Sequence, residues 1–205
     1  MPDSFLDFSY ARLADPLLRA LRRTAVSFAG MQPGQSALDV CCGTGAQVFE
    51  YSKNGLEATG LDLDPKMLRQ TDWYRARLPE LKPAFVLGDA TSMPFSDSAF
   101  DFASISLAMH EHDEHFQDAV LSEMRRVVKT GGKLVFIDFR APLPRSFVGC
   151  GINIIESLAG TENSKNFHAY IDAGGLSAIM KRHSLSIERQ RQAVSGSVEL
   201  QLVEA

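Results

Sequence analysis

The chain has 205 residues, 45% of them hydrophobic and 22% charged, with 21 Lys plus Arg against 25 Asp plus Glu. That length and balance suit one globular domain with a substantial core, and they exclude collagen-like, low-complexity and disordered chains. A net charge of -4 makes no general trap for phosphate backbones, so no nucleic-acid partner is expected. The longest uncharged run, between Arg23 and Asp39, is short and interrupted by Gln32, Pro33, Gly34 and Gln35, so no membrane insertion is expected. Asp3 and Asp7 stand near the N-terminus without a basic run, which is no signal peptide. Three cysteines, two of them adjacent, make no disulfide framework. The expectation is a single soluble, cytoplasmic domain over 1–205, with a homodimer left open.

In chain order, residues 1–33 read as a helical cap. Asp15-Pro16 marks a helix start, and Leu17, Leu18, Leu21, Ala25 and Phe28 recur at helical spacing. From Ser36, short apolar runs alternate with helical segments. Strands are expected at Ala37–Cys41, Ala58–Asp62, Phe85–Leu87, Phe100–Leu107 and Lys133–Phe139. One helix follows Asp64-Pro65. Another runs from His115 to Val128 and stops at Gly131-Gly132. Such alternation argues for a doubly wound α/β fold with a mostly parallel sheet. Arg145 to Asn166 has no clean period. Phe167 to Arg182 reads as a helix broken at Gly174-Gly175, and Leu185–Gln192 with Val198–Glu204 as a hairpin across Ser195-Gly196-Ser197. That hairpin would place an antiparallel last strand in the sheet.

The glycine turn Cys42-Gly43-Thr44-Gly45 follows the first strand and opens a helix, where backbone amides can approach an anionic group. Asp62 ends the next strand 17 residues after Gly45, a place from which a carboxylate can accept from both hydroxyls of a ribose. A dinucleotide site uses the same parts. Its third glycine would fall at Val48, which disfavours a nicotinamide-dependent oxidoreductase.

Leu38-Asp39-Val40-Cys41-Cys42-Gly43-Thr44-Gly45 resembles the first motif of class I S-adenosylmethionine-dependent methyltransferases. Gly60 to Leu68 is similar to their second-strand motif. Gly88-Asp89-Ala90 with Met93-Pro94-Phe95 resembles the adenine-holding stretch, and Arg125 to Leu134 the segment entering strand five. Order and spacing agree over residues 36–140, and the likeness is nearest to the ubiquinone/menaquinone-biosynthesis methyltransferases.

The resemblance implies a Rossmann-like fold, S-adenosylmethionine as cofactor and a small-molecule methyl acceptor. It implies that Gly43 and Gly45 line the methionine end, while Asp39 holds the turn and the amino group. Asp62 would take the ribose, Leu63 and Met67 would pack on adenine, and Asp89 with Ala90 would meet its edge. Ser106 would border the methyl-transfer pocket. Cys41 departs from the pattern by standing where the family's first turn glycine is usual. The core would then span 36–140, with 141–166 as a lid and 167–205 as terminal helix and hairpin.

Methyl transfer is an in-line displacement that needs no protein nucleophile, only positioning and exclusion of water. A base is needed where the acceptor must lose a proton. His110 and His112, just past the fourth strand, are the candidates, against the plainer reading of a polar helix start with Asp113 or Glu114 at its N-terminus. No metal site is expected, because adjacent residues rarely converge on one ion. Apolar residues in the flanking segments (Phe5, Phe8, Tyr10, Phe147, Ile152 and Ile154) point to an apolar or aromatic acceptor. A cofactor-binding protein without catalysis is the alternative.

Overall fold

The computed structural model describes residues 18–158 and 160–205. The Asp15-Pro16 helix start and the apolar Phe5, Phe8 and Tyr10 therefore lie outside the described residues. Among the described residues, seven strands form one sheet: β1 (Ser36–Val40), β2 (Glu57–Asp62), β3 (Ala84–Leu87), β4 (Phe100–Ser106), β5 (Val128–Phe139), β6 (Ile187–Ala193) and β7 (Val198–Glu204). Their order is β3-β2-β1-β4-β5-β7-β6. Strands β1 to β5 are parallel, β7 runs antiparallel to β5, and β6 runs antiparallel to β7. This is the Rossmann-like doubly wound sheet read from the alternation, with the hairpin closing it.

Helix α1 covers 18–29 and turns Leu21, Ala25 and Phe28 into the core. It is followed by α2 (Ala46–Lys53), α3 (Pro65–Arg69), α4 (Thr71–Arg77), α5 (Glu114–Val127), α6 (Phe147–Leu158), α7 (Thr161–Ala173) and α8 (Gly175–Arg182). Central strands buried on both faces need continuous apolar runs, and Leu134 to Ile137 of β5 supply one, each at most 1% exposed. Val120, Leu121, Met124 and Val127 of α5 lie at helical spacing and are wholly buried against the sheet. Local chemistry sets the helix starts. The Asp64 side chain accepts from the Lys66 amide with Pro65 at the first helical position, and Asp113 accepts from the Phe116 amide at 2.9 Å. The polar start assigned to Asp113 and Glu114 is thus present.

Two expectations are corrected. Gly131-Gly132 does not end α5, which stops at Val127 and passes straight into β5. The glycines sit instead at an irregularity in the β4–β5 register, between the Phe100–Val128 and Phe102–Lys133 pairs. A Cβ on Gly132 would come within 2.7 Å of the Asp101 carbonyl oxygen, so close strand approach, not helix termination, requires a glycine there. The segment Arg145 to Asn166, read as irregular, is mostly helical and carries α6 and the start of α7. Its period is hidden because α6 exposes large apolar side chains. The break at Gly174 is where it was expected, in a left-handed conformation between α7 and α8.

Candidate cofactor and acceptor site

The sheet order reverses between β1 and β4, and the crevice at the carboxyl ends of such strands is the ligand position of open α/β sheets. Three turns converge there. After β1, Cys41, Gly43 and Gly45 all have positive φ, at 55°, 54° and 77°. Gly45 caps α2, and a Cβ on it would stand 2.5 Å from the Phe85 ring, so no other residue fits. Cys41 tolerates its conformation at a cost of about 1–2 kcal/mol for an L side chain. Burial pushes its thiol up to about 12 and that of Cys42 higher still, with Asp39 and Asp62 adding to both. Such thiols stay protonated and unreactive.

The hydrogen bond that steadies the turn differs from the expected one. Asp62 Oδ2 accepts from the Gly43 amide at 2.7 Å, and Oδ1 from the Asp64 amide at 2.9 Å. Asp39 is turned the other way and accepts from the Ser104 hydroxyl at 2.7 Å. It is almost fully buried, and that burial raises its carboxyl to about 7 against the opposing pull of Ser104 and Arg22. Asp62 is only partly buried, at the mouth of the crevice.

Beside Asp62 lies an apolar shelf. Leu87 is its register partner across β2–β3, and Leu87, Leu63 and Met67 are 57%, 67% and 36% exposed. Asp89 is exposed, and its Oδ1 accepts from both the amide and the hydroxyl of Thr91 at 2.8 Å, which holds the carboxyl below the usual range. Ala90 is buried behind it, and Ser106 is half-buried at the end of β4.

The two candidate bases separate cleanly. His110 lies in a 3-10 turn, Met109–Glu111, and is 2% exposed. Its Nδ1 is 2.6 Å from Asp138 Oδ1, and its Nε2 is 3.9 Å from Glu156 Oε2 of α6. Phe139, Phe167 and Tyr170 wall the ring. Burial works against protonation, yet Asp138, Glu111 and Glu156 together raise the imidazole above its ordinary value. His112 stacks on Phe116 at 3.8 Å, and burial lowers its imidazole. Only His110 has an orienting carboxylate.

Asp138 and Glu156 carry no motif in the sequence, and Gly60 stands there only as the first residue of the second-strand motif. A Cβ on Gly60 would press within 2.8 Å of Val48, so the close helix–strand contact expected of a glycine at 48 is made by a glycine on the strand. The missing third glycine therefore does not separate the two ligand classes. Asp138 is the one charge within the buried run of β5 that begins at Leu134, and Glu156 is the only charge between Arg145 and Glu162. A lone charge in an apolar run is the signal that would have found both. Among the described residues, no group of three or more His, Cys, Asp or Glu side chains is placed to hold a metal ion, and no helix is long and apolar enough to cross a membrane.

A glycine turn opening a helix, a carboxylate at the end of β2 and an apolar shelf beside it stand together at the carboxyl edge of this Rossmann-like sheet. Residues 38–136 match the methyltransferase domain family. The demethylmenaquinone methyltransferase of Renibacterium salmoninarum is 40% identical over 124 residues, which are 60% of this chain and 49% of that protein. That of Staphylococcus aureus strain MRSA252 is 34% identical over 59% of this chain and 50% of its own length. The chain thus spans about half the length of the curated relatives it matches. Among solved structures, a protein from Pyrococcus horikoshii OT3 superposes with a TM-score of 0.67 at 18% identity, covering 98% of this chain and 92% of its own. A SAM-dependent methyltransferase from Aquifex aeolicus does so at 0.64 and 17%, covering 89% and 88%. Over these residues the chain is similar to the methyltransferase domain family and to proteins named demethylmenaquinone methyltransferases.

Proposed function

We propose that this chain transfers a methyl group from S-adenosylmethionine to a small, apolar or aromatic molecule, and that His110 takes the proton the acceptor loses. The observation that carries this reading is the buried His110–Asp138 pair, at 2.6 Å, beside the crevice that fits the cofactor. When bound, the cofactor supplies an electrophilic methyl group. The chain's own work is positioning and proton removal. Asp62 receives the ribose hydroxyls while keeping the Gly43 amide in place. Leu63, Met67 and Leu87 cover the adenine, with Asp89 and Ala90 at its edge, and Gly43 and Gly45 leave room for the methionine arm with Asp39 behind them.

Asp138 accepts the Nδ1 proton, so Nε2 is the free base, as in other orienting carboxylate–histidine pairs. His112 lacks such a partner, which favours His110 of the two. Exclusion of water falls to α6 and α7, the latter tied to the 3-10 turn by the Asn166 side chain donating to the Glu111 carbonyl at 2.8 Å. The apolar acceptor is supported by the aromatic wall around His110 and by the relatives named as demethylmenaquinone methyltransferases.

The test is transfer of label from methyl-tritiated S-adenosylmethionine to a short-chain demethylmenaquinol probe and, in parallel, to a bacterial metabolite extract. Wild type should label an extractable product, and His110→Ala should lose on the order of 10²-fold in turnover with cofactor affinity nearly intact. Binding without any labelled product would support a cofactor-binding protein without catalysis instead.

A further inference from the structure

Glu156 has no part in the reading above, and its setting calls for a reason. Helix α6 shows Phe147, Ile154, Ile155 and Leu158 to solvent, between 43% and 100% exposed. It turns its single charge inward, where the Glu156 side chain is 12% exposed. A helix on a protein surface ordinarily does the reverse. The inward carboxylate faces the one ring nitrogen that Asp138 leaves uncommitted, with Oε2 at 3.9 Å from His110 Nε2. The other titratable groups around His110 are Asp138 from β5, Tyr170 from α7, and Glu111 and His112 on its own turn. Glu111 interacts with His110, Glu156 and Asp138 as well as with Asp62 and Cys41, and Glu156 is the carboxylate that α6 brings to the ring.

We propose that Glu156 is the group through which the acceptor's proton leaves the buried site, so that Asp138, His110 and Glu156 form a relay that α6 completes. The proposal rests on His110 being the base. In the first step the acceptor's bond to hydrogen breaks and the proton bonds to His110 Nε2. The electron pair left on the acceptor bonds the methyl carbon, and the carbon–sulfur pair stays on the cofactor's sulfur. In the second step the imidazolium returns the Nε2 proton to a Glu156 oxygen, and neutral His110 is restored. Glu156 then gives the proton to water. Burial raises the Glu156 carboxyl, with His110 opposing and Asp138 adding, which suits a carrier that must hold a proton briefly. Asp138 and Glu156 act through His110 and are positioning residues.

The experiment is nitrogen NMR on the full chain labelled at histidine, with and without S-adenosylmethionine, in wild type, Glu156→Gln, Glu156→Asp and Glu111→Gln. Glutamine keeps the volume of Glu156, and melting curves report whether each variant folds. In Glu156→Gln the His110 titration midpoint should fall by about half a pH unit or more, with the Nδ1–H tautomer kept. Glu156→Asp should recover part of the shift, whereas Glu111→Gln should also lower the midpoint but without the loss of turnover expected in Glu156→Gln. Turnover of Glu156→Gln on the demethylmenaquinol probe should drop about tenfold with KM for the cofactor unchanged. An unmoved His110 midpoint in Glu156→Gln, unchanged turnover in that variant, or the same loss produced by Glu111→Gln alone overturns the relay. Full turnover in His110→Ala would defeat the base assignment instead, leaving the NMR contact between Glu156 and His110 standing.

Discussion

Asp39 shows how burial makes one carboxylate a pH-dependent element of stability. Its carboxyl, about 7 in the folded chain against 3.8 for an exposed aspartate, prefers the protonated form because the β1–β4 core withholds water. The folded state therefore binds the proton more tightly than the unfolded state. This stability is fully present below the unfolded value and is lost as pH rises from about 4 through about 7. A rise of that size is worth at most about 4 kcal/mol, and relaxation of the buried site would reduce it. Asparagine keeps the acceptor for Ser104 and removes the titration. Thermal melts of wild type should decline from pH 5 to pH 8 relative to Asp39→Asn, by a few kcal/mol or less. A difference between the two that does not vary with pH would contradict the assignment. The neighbouring Asp62, which ties the glycine turn through the Gly43 amide, shares the same crevice, and the mutual repulsion of the two carboxylates adds to the effect.

Among the elements, α6 stands apart from the rest of the surface. Four of its large apolar side chains face solvent, whereas α5 buries every apolar position on its inner stripe. A surface of this kind is suited to an occupied state in which α6 packs down on ligand or moves over the crevice. Arg145 and Lys165 bracket the helix and offer sites for trypsin. Cleavage at these positions should slow several-fold when S-adenosylmethionine and the demethylmenaquinol probe are both present, because a closed α6 opens less often. Equal cleavage rates with and without the two ligands would remove α6 from the role of cover. The helix was legible as a segment outside the core but not as a helix. Its amphipathic period is inverted, with Glu156 inward, and periodicity cannot report which face a tertiary partner covers.

At the scale of the whole molecule, the sheet was legible because β1, β2, β4 and β5 are apolar runs ending in turn residues, and because a hairpin after such a series has one place to go. Gly131-Gly132 misled the reading of α5, since a glycine pair marks a helix end and a strand irregularity equally well. The turn and shelf where we propose the cofactor binds were legible from motif order: Gly43, Gly45, Asp62, Leu63 and Met67 lie at the carboxyl edge of the sheet. The acceptor half was legible only as two histidines. What separates His110 from His112 is side-chain direction toward Asp138, 28 residues away in sequence, and that pairing is a property of the fold.

The central claim is that this carboxyl edge holds S-adenosylmethionine through Asp62. Calorimetric titration of the full chain tests it without knowledge of the acceptor. Wild type should bind one cofactor per chain. Asp62→Ala should bind at least about tenfold more weakly, since it removes hydrogen bonds to a charged acceptor and frees the Gly43 amide. No heat of binding in wild type, or an unchanged dissociation constant in Asp62→Ala, would contradict the account.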